Sequence, residues 1–234
     1  MATSTVEDYL KCIFSEQQRS DGLVPMGHLA SALGVASGTV TAMVKTLKRS
    51  GLVTYEPYSG VSLTPAGRQL AVHVLRRHRL IEVFLVEIMG MDWGTVHEEA
   101  EQLEHVVSDR LIERMDEMLG HPAVDPHGDP IPSAQGEVLE LNHLDLLSCA
   151  LSHPLRVARV LDQSSTFLHL VERQGLRPGS HLEVQGRDSA AETVQVKLLP
   201  DGQSVNLGFG AASKIEVASS ESFPSEKLST SLPS

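Results

Sequence analysis

Cysteine is scarce in this 234-residue chain: Cys12 and Cys149 stand without a CxxC spacing or any pairing pattern. That argues against a disulfide framework and points to a reduced, cytoplasmic compartment. Long apolar runs are missing too. No stretch of about 18 apolar residues occurs, so no membrane span or membrane partner is expected. The opening MATSTVEDYL lacks the charged and apolar regions of a secretory signal. Internal repeats are absent. Basic side chains are outnumbered, 19 against 30, for a formal net charge of −11. That balance argues against nucleic acid only until position is considered. Residues 1–64 hold five basic side chains (Lys11, Arg19, Lys45, Lys48, Arg49) and five acidic ones, so the acidic excess lies further along. A locally basic face on an acidic protein still binds DNA.

What is present is enough apolar character, 41%, and enough length for a buried core and more than one domain. Val6, Tyr9, Leu10, Ile13 and Phe14 fall at helical spacing within 5–19, and Asp21-Gly22 closes that element. A short helix after Pro25 ends at Gly34, and Ser37 is expected to cap a helix running to Gly51. LVTYEP and GVSLT then flank Tyr58-Ser59-Gly60 as a hairpin. Helix, short helix, turn, helix and hairpin is the winged helix-turn-helix order.

Thr64-Pro65 reads as N-cap and first residue of a long helix to about Met89. A second long helix is expected from about Thr95 to Leu119, with Val96, Ala100, Leu103, Val107, Leu111 and Met115 as one stripe. Two such amphipathic helices call for a partner surface, most simply a second copy of the chain. The segment HPAVDPHGDPIPSAQGE is too rich in Pro and Gly to be helical, and a helix over about 142–151 is expected after it. From about Pro154, runs such as HLEVQGR, TVQVKLL, SVNLGF and KIEVA alternate with turns, the pattern of a small SH3-like β-barrel. The fold class is therefore mainly α with small β parts. It comprises a winged helix DNA-binding domain at 1–64, a helical metal-binding and dimerisation domain at 65–150, an SH3-like domain at 151–218 and a disordered Ser-rich tail at 219–234.

Two groups of residues carry the chemistry. On the second helix of the helix-turn-helix, Ser37, Thr39, Thr41, Lys45, Thr46 and Lys48 face outward, and Tyr55 and Tyr58 lie on the wing. Short hydroxyls and lysines there suit phosphate contacts, thymine-methyl contacts and shape readout more than bidentate Arg–guanine pairs. A winged helix that makes only protein contacts is the bland alternative. On the long helices, His78 and Glu82 are four apart, and His97, Glu101, Glu104 and His105 follow at spacings of four, three and one. One His–Glu pair at this spacing is ordinarily solvated. Two such clusters on successive packed helices would repel one another without a cation. Imidazoles and carboxylates without thiolate suit Mn2+ or Fe2+ better than a tetrahedral zinc.

EDYL at 7–10, the segment from Thr39 to Gly67, RRHRLIEVFL at 76–85, VHEEAEQLEHVVSD at 96–109 and DPHGDPIP at 125–132 together resemble the diphtheria-toxin-repressor and manganese-transport-regulator family, over roughly residues 5–217. The resemblance implies an activating site of Asp8, Glu101, Glu104 and His105, and a second site of His78, Glu82 and His97 completed from the carboxy-terminal domain. Carboxylates at 8 and 101, where iron-responsive members commonly have methionine and cysteine, resemble the manganese branch. Lys11 stands where manganese members without the third domain often have glutamate, which leaves the number of ions open. Asp125, His127 and Asp162 match a Cys-Pro-His stretch and a later Asp that serve as ligands in some manganese members. The resemblance implies a homodimer on a palindromic DNA operator, switched by Mn2+ or Fe2+ and controlling metal uptake or efflux genes, most often by repression. Rival readings from the residues are a di-metal carboxylate enzyme and a winged-helix regulator of an organic ligand.

Overall fold

The spacing of Tyr9, Leu10, Ile13 and Phe14 sets four large apolar side chains on one face of α1 (Ser4–Arg19), and all four are buried. The computed structural model describes residues 3–19, 22–139 and 141–219. They divide into two units, one drawn from residues up to 125 and from 130–139, the other from 126–129 and 141–219.

In the first unit, the α1 face meets Leu29 of α2 (Met26–Ala32) and Val40, Val44 and Leu47 of α3 (Ser37–Arg49) in one apolar cluster. Gly34, at φ 64, lets the chain turn between the two helices. The N-cap of α3 is Ala36, in extended conformation at φ −66 and ψ 143, and no side chain caps it. The expected cap, Ser37, is the first helical residue instead, because the chain enters the helix one position earlier. The wing pairs β1 (Val53–Glu56) with β2 (Gly60–Leu63) antiparallel, Val53 opposite Leu63 and Glu56 opposite Gly60. Tyr58 turns the hairpin at φ 68. Val24 adds a third rung, its N–H donating to Val61 O at 2.8 Å and its carbonyl accepting from Val61 N at 3.0 Å.

Thr64 caps α4 (Pro65–Glu87) as the sequence predicts, its side chain accepting from Gly67 N, with Pro65 in the first turn. Ala71, Val72 and Leu75 of α4 bury into the winged-helix core. Leu80, Ile81, Val83 and Leu85 bury into a second cluster with Val96 and Ala100 of α5 (Val96–Leu103) and Ile112 of α6 (Asp109–Met118). The expected single helix over 95–119 is thus two helices. The N–H groups of Val106 and Val107 both turn back to Leu103 O, each at 3.0 Å, and Ser108 is extended before α6 starts. The break resets the helical phase. Ile112 is buried, at 5% exposure, while Leu111 of the expected stripe is 47% exposed.

In the second unit, β3 (Leu144–Asp145), β4 (Leu155–Val160), β5 (His181–Asp188), β6 (Thr193–Leu199), β7 (Ser204–Gly208) and β8 (Ile215–Ser219) form one sheet in the order β3-β8-β4-β5-β6-β7. The short helices α7 (Ser165–Arg173) and α8 (Phe209–Ala212) lie between strands in sequence. Leu168, Leu182, Val184, Val194, Val196 and Ile215 are completely buried. This is the small β-sheet domain expected from the alternating runs. The helix expected over 142–151 is absent. Asp145 Oδ1 accepts from Leu147 N at 3.1 Å and Ser148 N at 2.9 Å, and Arg187 donates to Leu146 O at 2.9 Å and Cys149 O at 2.6 Å. Side chains therefore take the backbone groups that a helix would have used. No single helix among the described residues is long and apolar enough to cross a membrane. Residues 220–234 of the expected tail lie outside the described residues.

Gly67 is the tightest point where wing and α4 meet: a Cβ there would stand 1.9 Å from Leu52 O. Backbone cannot retreat cheaply from such a clash, so Gly67→Ala is expected to destabilise the protein by about 2–4 kcal/mol. A urea denaturation curve with an unchanged slope and a lowered midpoint is the expected measurement.

Candidate metal centre

Five carboxylates and three imidazoles from α1, α4, α5 and the turn after α5 converge in the first unit. His78 and Glu82 project from one face of α4, one helical turn apart. His78 Nε2 lies 2.9 Å from Glu82 Oε1 and 3.0 Å from His97 Nδ1, and His97 Nδ1 lies 3.1 Å from Glu82 Oε1. Glu101 Oε1 stands 3.6 Å from His97 Nε2 and 3.7 Å from His78 Nδ1. On the α1 side, His105 Nε2 is 2.8 Å from Asp8 Oδ1 and 3.3 Å from Glu104 Oε1. His105 Nδ1 is 2.7 Å from Glu7 Oε2.

These donors form two groups that fit a divalent ion: His78, His97 and Glu101, and Asp8, Glu104 and His105. Neighbouring ligands of a six-coordinate ion, with bonds of about 2.2 Å, stand roughly 3 Å apart. The His78–Glu82–His97 triangle and the Asp8–His105–Glu104 contacts already have that scale. The helix break explains the division. Glu104 ends α5 as its C-cap, and His105 lies in the turn beyond. Of the residues expected together at the activating site, Asp8, Glu104 and His105 meet, whereas Glu101 joins His78 and His97.

Lys11 sits between the two groups. Its Nζ donates to Glu101 Oε1 and to Glu104 Oε1, both at 2.6 Å, while Glu104 Oε2 lies 2.6 Å from His78 Nδ1. Glu104 has no exposed surface and Glu82 is 1% exposed. Buried carboxylates require cationic or hydrogen-bonding partners. Burial opposes ionisation of Glu104, but the His78 hydrogen bond and the Lys11 charge outweigh it and lower its pKa. Burial likewise opposes the Lys11 ammonium, which Glu104 and Glu101 nevertheless hold protonated above its ordinary range. Asp8 is pushed up, chiefly by burial. His78 resists desolvation through Glu82 and Glu104, and its pKa rises to about 9.

Of the other expected ligands, Asp125 belongs to the first unit, and His127 and Asp162 to the second. Asp125 is buried, 3.6 Å from Arg79 Nε, and offers an oxygen within 4.8 Å of one from Glu82. Asp162 pairs with Lys214 Nζ at 2.7 Å and accepts from Ser164 N at 3.0 Å. Burial raises its carboxyl, but these bonds outweigh that and hold it below its ordinary value. Glu7 also enters the cluster, through His105. Its only signal is its place beside Asp8 in EDYL, since a bond from Glu7 to a residue 98 positions away has no local pattern.

Of the outward positions expected on α3, Ser37, Thr39, Lys45, Thr46 and Lys48 are exposed and Thr41 is half-buried; Arg49 is exposed beside them. Thr41 Oγ1 donates to Ser37 O at 2.9 Å and Thr46 Oγ1 to Ala42 O at 3.1 Å, which commits both hydroxyl hydrogens to the helix. Lys48 Nζ donates to Tyr55 O at 3.1 Å, bracing α3 against the wing. Tyr58, at the wing tip, is completely exposed.

A winged helix joined to helices that gather carboxylates and imidazoles is the arrangement these residues build. Family models agree over successive segments: the iron dependent repressor N-terminal DNA binding domain over residues 1–61, its metal binding and dimerisation domain over 64–133, and the FeoA domain over 145–219. The diphtheria toxin repressor of Corynebacterium diphtheriae is 30% identical over 217 residues, covering 87% of this chain and 92% of that protein. The diphtheria toxin repressor of Corynebacterium glutamicum is 39% identical over 135 residues, 57% of this chain and 58% of that protein's length. The match to this second relative thus spans little more than half its length. A solved manganese-dependent transcriptional repressor in complex with manganese is 40% identical, covers 92% of this chain and 99% of its own, and superposes with a TM-score of 0.84. The chain belongs to the iron-dependent repressor family.

The raised pKa of His78 gives the metal-free protein a pH signature. Below about pH 6.5, its ordinary value, His78 is protonated folded or unfolded. Between there and about 9 only the folded state keeps the proton, so stability falls as pH rises through this window. Urea unfolding in chelator is expected to shift to lower midpoints from pH 6 to pH 9, and Gln at position 78 to flatten that trend.

Proposed function

We propose that this protein is a manganese-responsive transcriptional repressor, also able to use Fe2+, that binds a palindromic operator as a homodimer in the cytoplasm and controls metal uptake or efflux genes. The observation that carries this reading is the meeting of Asp8, on the first helix of the winged-helix core, with Glu104 and His105 at the end of α5. The proposed ligand set is Asp8, Glu104 and His105, with His78, Glu82, His97 and Glu101 around the neighbouring position. When bound, a divalent cation supplies coordinate bonds among these side chains. Asp8 then ties the DNA-reading unit to α4 and α5, and the tie narrows the angles that the unit samples.

Donor chemistry favours manganese. Asp8 and Glu101 are hard oxygen ligands, and the set lacks a thiolate. The similar solved repressor in complex with manganese supports the same choice. Exposed Ile88, Met89, Val106, Leu111 and Met118 give the helical part an apolar surface suited to a second copy. In a two-fold dimer the recognition helices would meet successive major grooves. Ser37, Thr39, Thr41 and Lys45 are the proposed groove contacts, with Lys48 and Tyr58 on the backbone. Coupling is reciprocal, so operator DNA tightens metal binding by the factor that metal tightens DNA binding.

Gel shift with operator DNA tests the reading. Binding is expected to vanish in chelator and return with micromolar Mn2+. The double substitution Glu104→Ala and His105→Ala is expected to weaken metal-dependent binding at least about 100-fold, roughly the loss of 3 kcal/mol of coupling. Undiminished binding by the double variant would overturn the proposal.

A further inference from the structure

The cluster already contains a cation of its own. Lys11 Nζ bonds one oxygen from each candidate ligand group, Glu101 Oε1 of the first and Glu104 Oε1 of the second, at 2.6 Å each. Its side chain is only 12% exposed, so this ammonium is not a solvated surface group resting near an acid. Asp8 and Lys11 are three residues apart on α1, and neighbouring faces of one helix therefore present an anion and a cation to the same cluster. Glu104 is fully committed: Oε2 is 2.6 Å from His78 Nδ1, and Oε1 is shared between Lys11 and the nearby His105.

We propose that Lys11 is a tethered counter-ion that holds the ligand cluster together without metal and competes with the metal for Glu104 and Glu101, thereby setting the ion concentration at which the regulator responds. This inference rests on the ligand reading given above. Three observations lead to it. Glu104 Oε1 belongs both to the Lys11 bond and to the Asp8–Glu104–His105 group, so an ion seated among those donors must draw that oxygen away from the ammonium. Glu101 Oε1 stands in the same relation to the His78–His97–Glu101 group. Finally, an ammonium and a divalent ion about 3–4 Å apart repel strongly in a part-buried site, so Lys11 must withdraw as the metal enters.

Lys11 is thus a positioning residue with two effects of opposite sign. It stabilises the metal-free protein by neutralising Glu101 and Glu104 across the α1–α5 junction. It weakens the first metal-binding step, because the bonds it makes must be given up. A merely structural lysine has one sign only: its removal would loosen the site and lower both stability and metal affinity.

The full-length protein serves for the test, with Mn2+ alone as the probe. Equilibrium dialysis gives the Mn2+ dissociation constant, and thermal unfolding in chelator gives the metal-free midpoint. Lys11→Gln is expected to bind Mn2+ about tenfold more tightly while unfolding at a lower temperature. Lys11→Arg, which keeps the charge, is expected to stay near the wild type on both readouts. If the Gln variant is unfolded in chelator, Mn2+ is expected to restore its circular dichroism at concentrations below the wild-type half-saturation point. Mn2+ affinity that is unchanged or weakened in Lys11→Gln overturns the inference while leaving the ligand reading intact. A wild-type protein that takes up no Mn2+ overturns both.

Discussion

Glu104 is the constraint on which the helical part of this molecule depends. A carboxylate with no exposed surface must find partners, and this one reaches α4 through His78 and α1 through Lys11. Its two oxygens thereby add polar bonds between α1, α4 and the end of α5 to the apolar packing of these helices. The helix break at the same residue completes the arrangement. Consecutive residues on a continuous helix diverge by about 100° around its axis. The turn after α5 instead lets His105 reach Asp8 and Glu7 while Glu104 keeps its hold on His78.

The long helix α4 gives the site its rigidity. One end buries into the winged-helix cluster and the other into the α5–α6 cluster, so His78 projects from a segment fixed on both sides. Polar chemistry is concentrated where these two apolar clusters meet. His78, Glu82 and Glu104 there are shielded from water, which strengthens their attractions and makes an unpaired group among them costly.

Much of this was legible in the primary structure. Periodic apolar positions gave α1, α3 and α4, the Thr64-Pro65 pair marked the start of α4, and alternation gave the wing and the strands of the second unit. The residue types at positions 78, 82, 97, 101, 104 and 105 marked the polar cluster by spacing alone. Hydrophobic period failed where a helix is interrupted without Pro or Gly. Leu103, Val107 and Met115 of the expected stripe still pack against the cluster of Val96 and Ala100, yet the turn at 104–107 brings Ile112 into it and leaves Leu111 exposed. Around Leu146 the pattern was equally misleading, because Asp145 and Arg187 satisfy the backbone from the side and remove the need for a helix. The division of Glu101 from Glu104 follows from that same helix end, so no spacing rule could supply it.

Lys48 carries a consequence for the interface with DNA. Its ammonium is bound to the carbonyl of Tyr55, so part of its charge is spent inside the protein on coupling recognition helix to wing. A phosphate that reached it would have to share or replace that bond. What the bond provides is geometric: it holds α3 and the wing as a single edge.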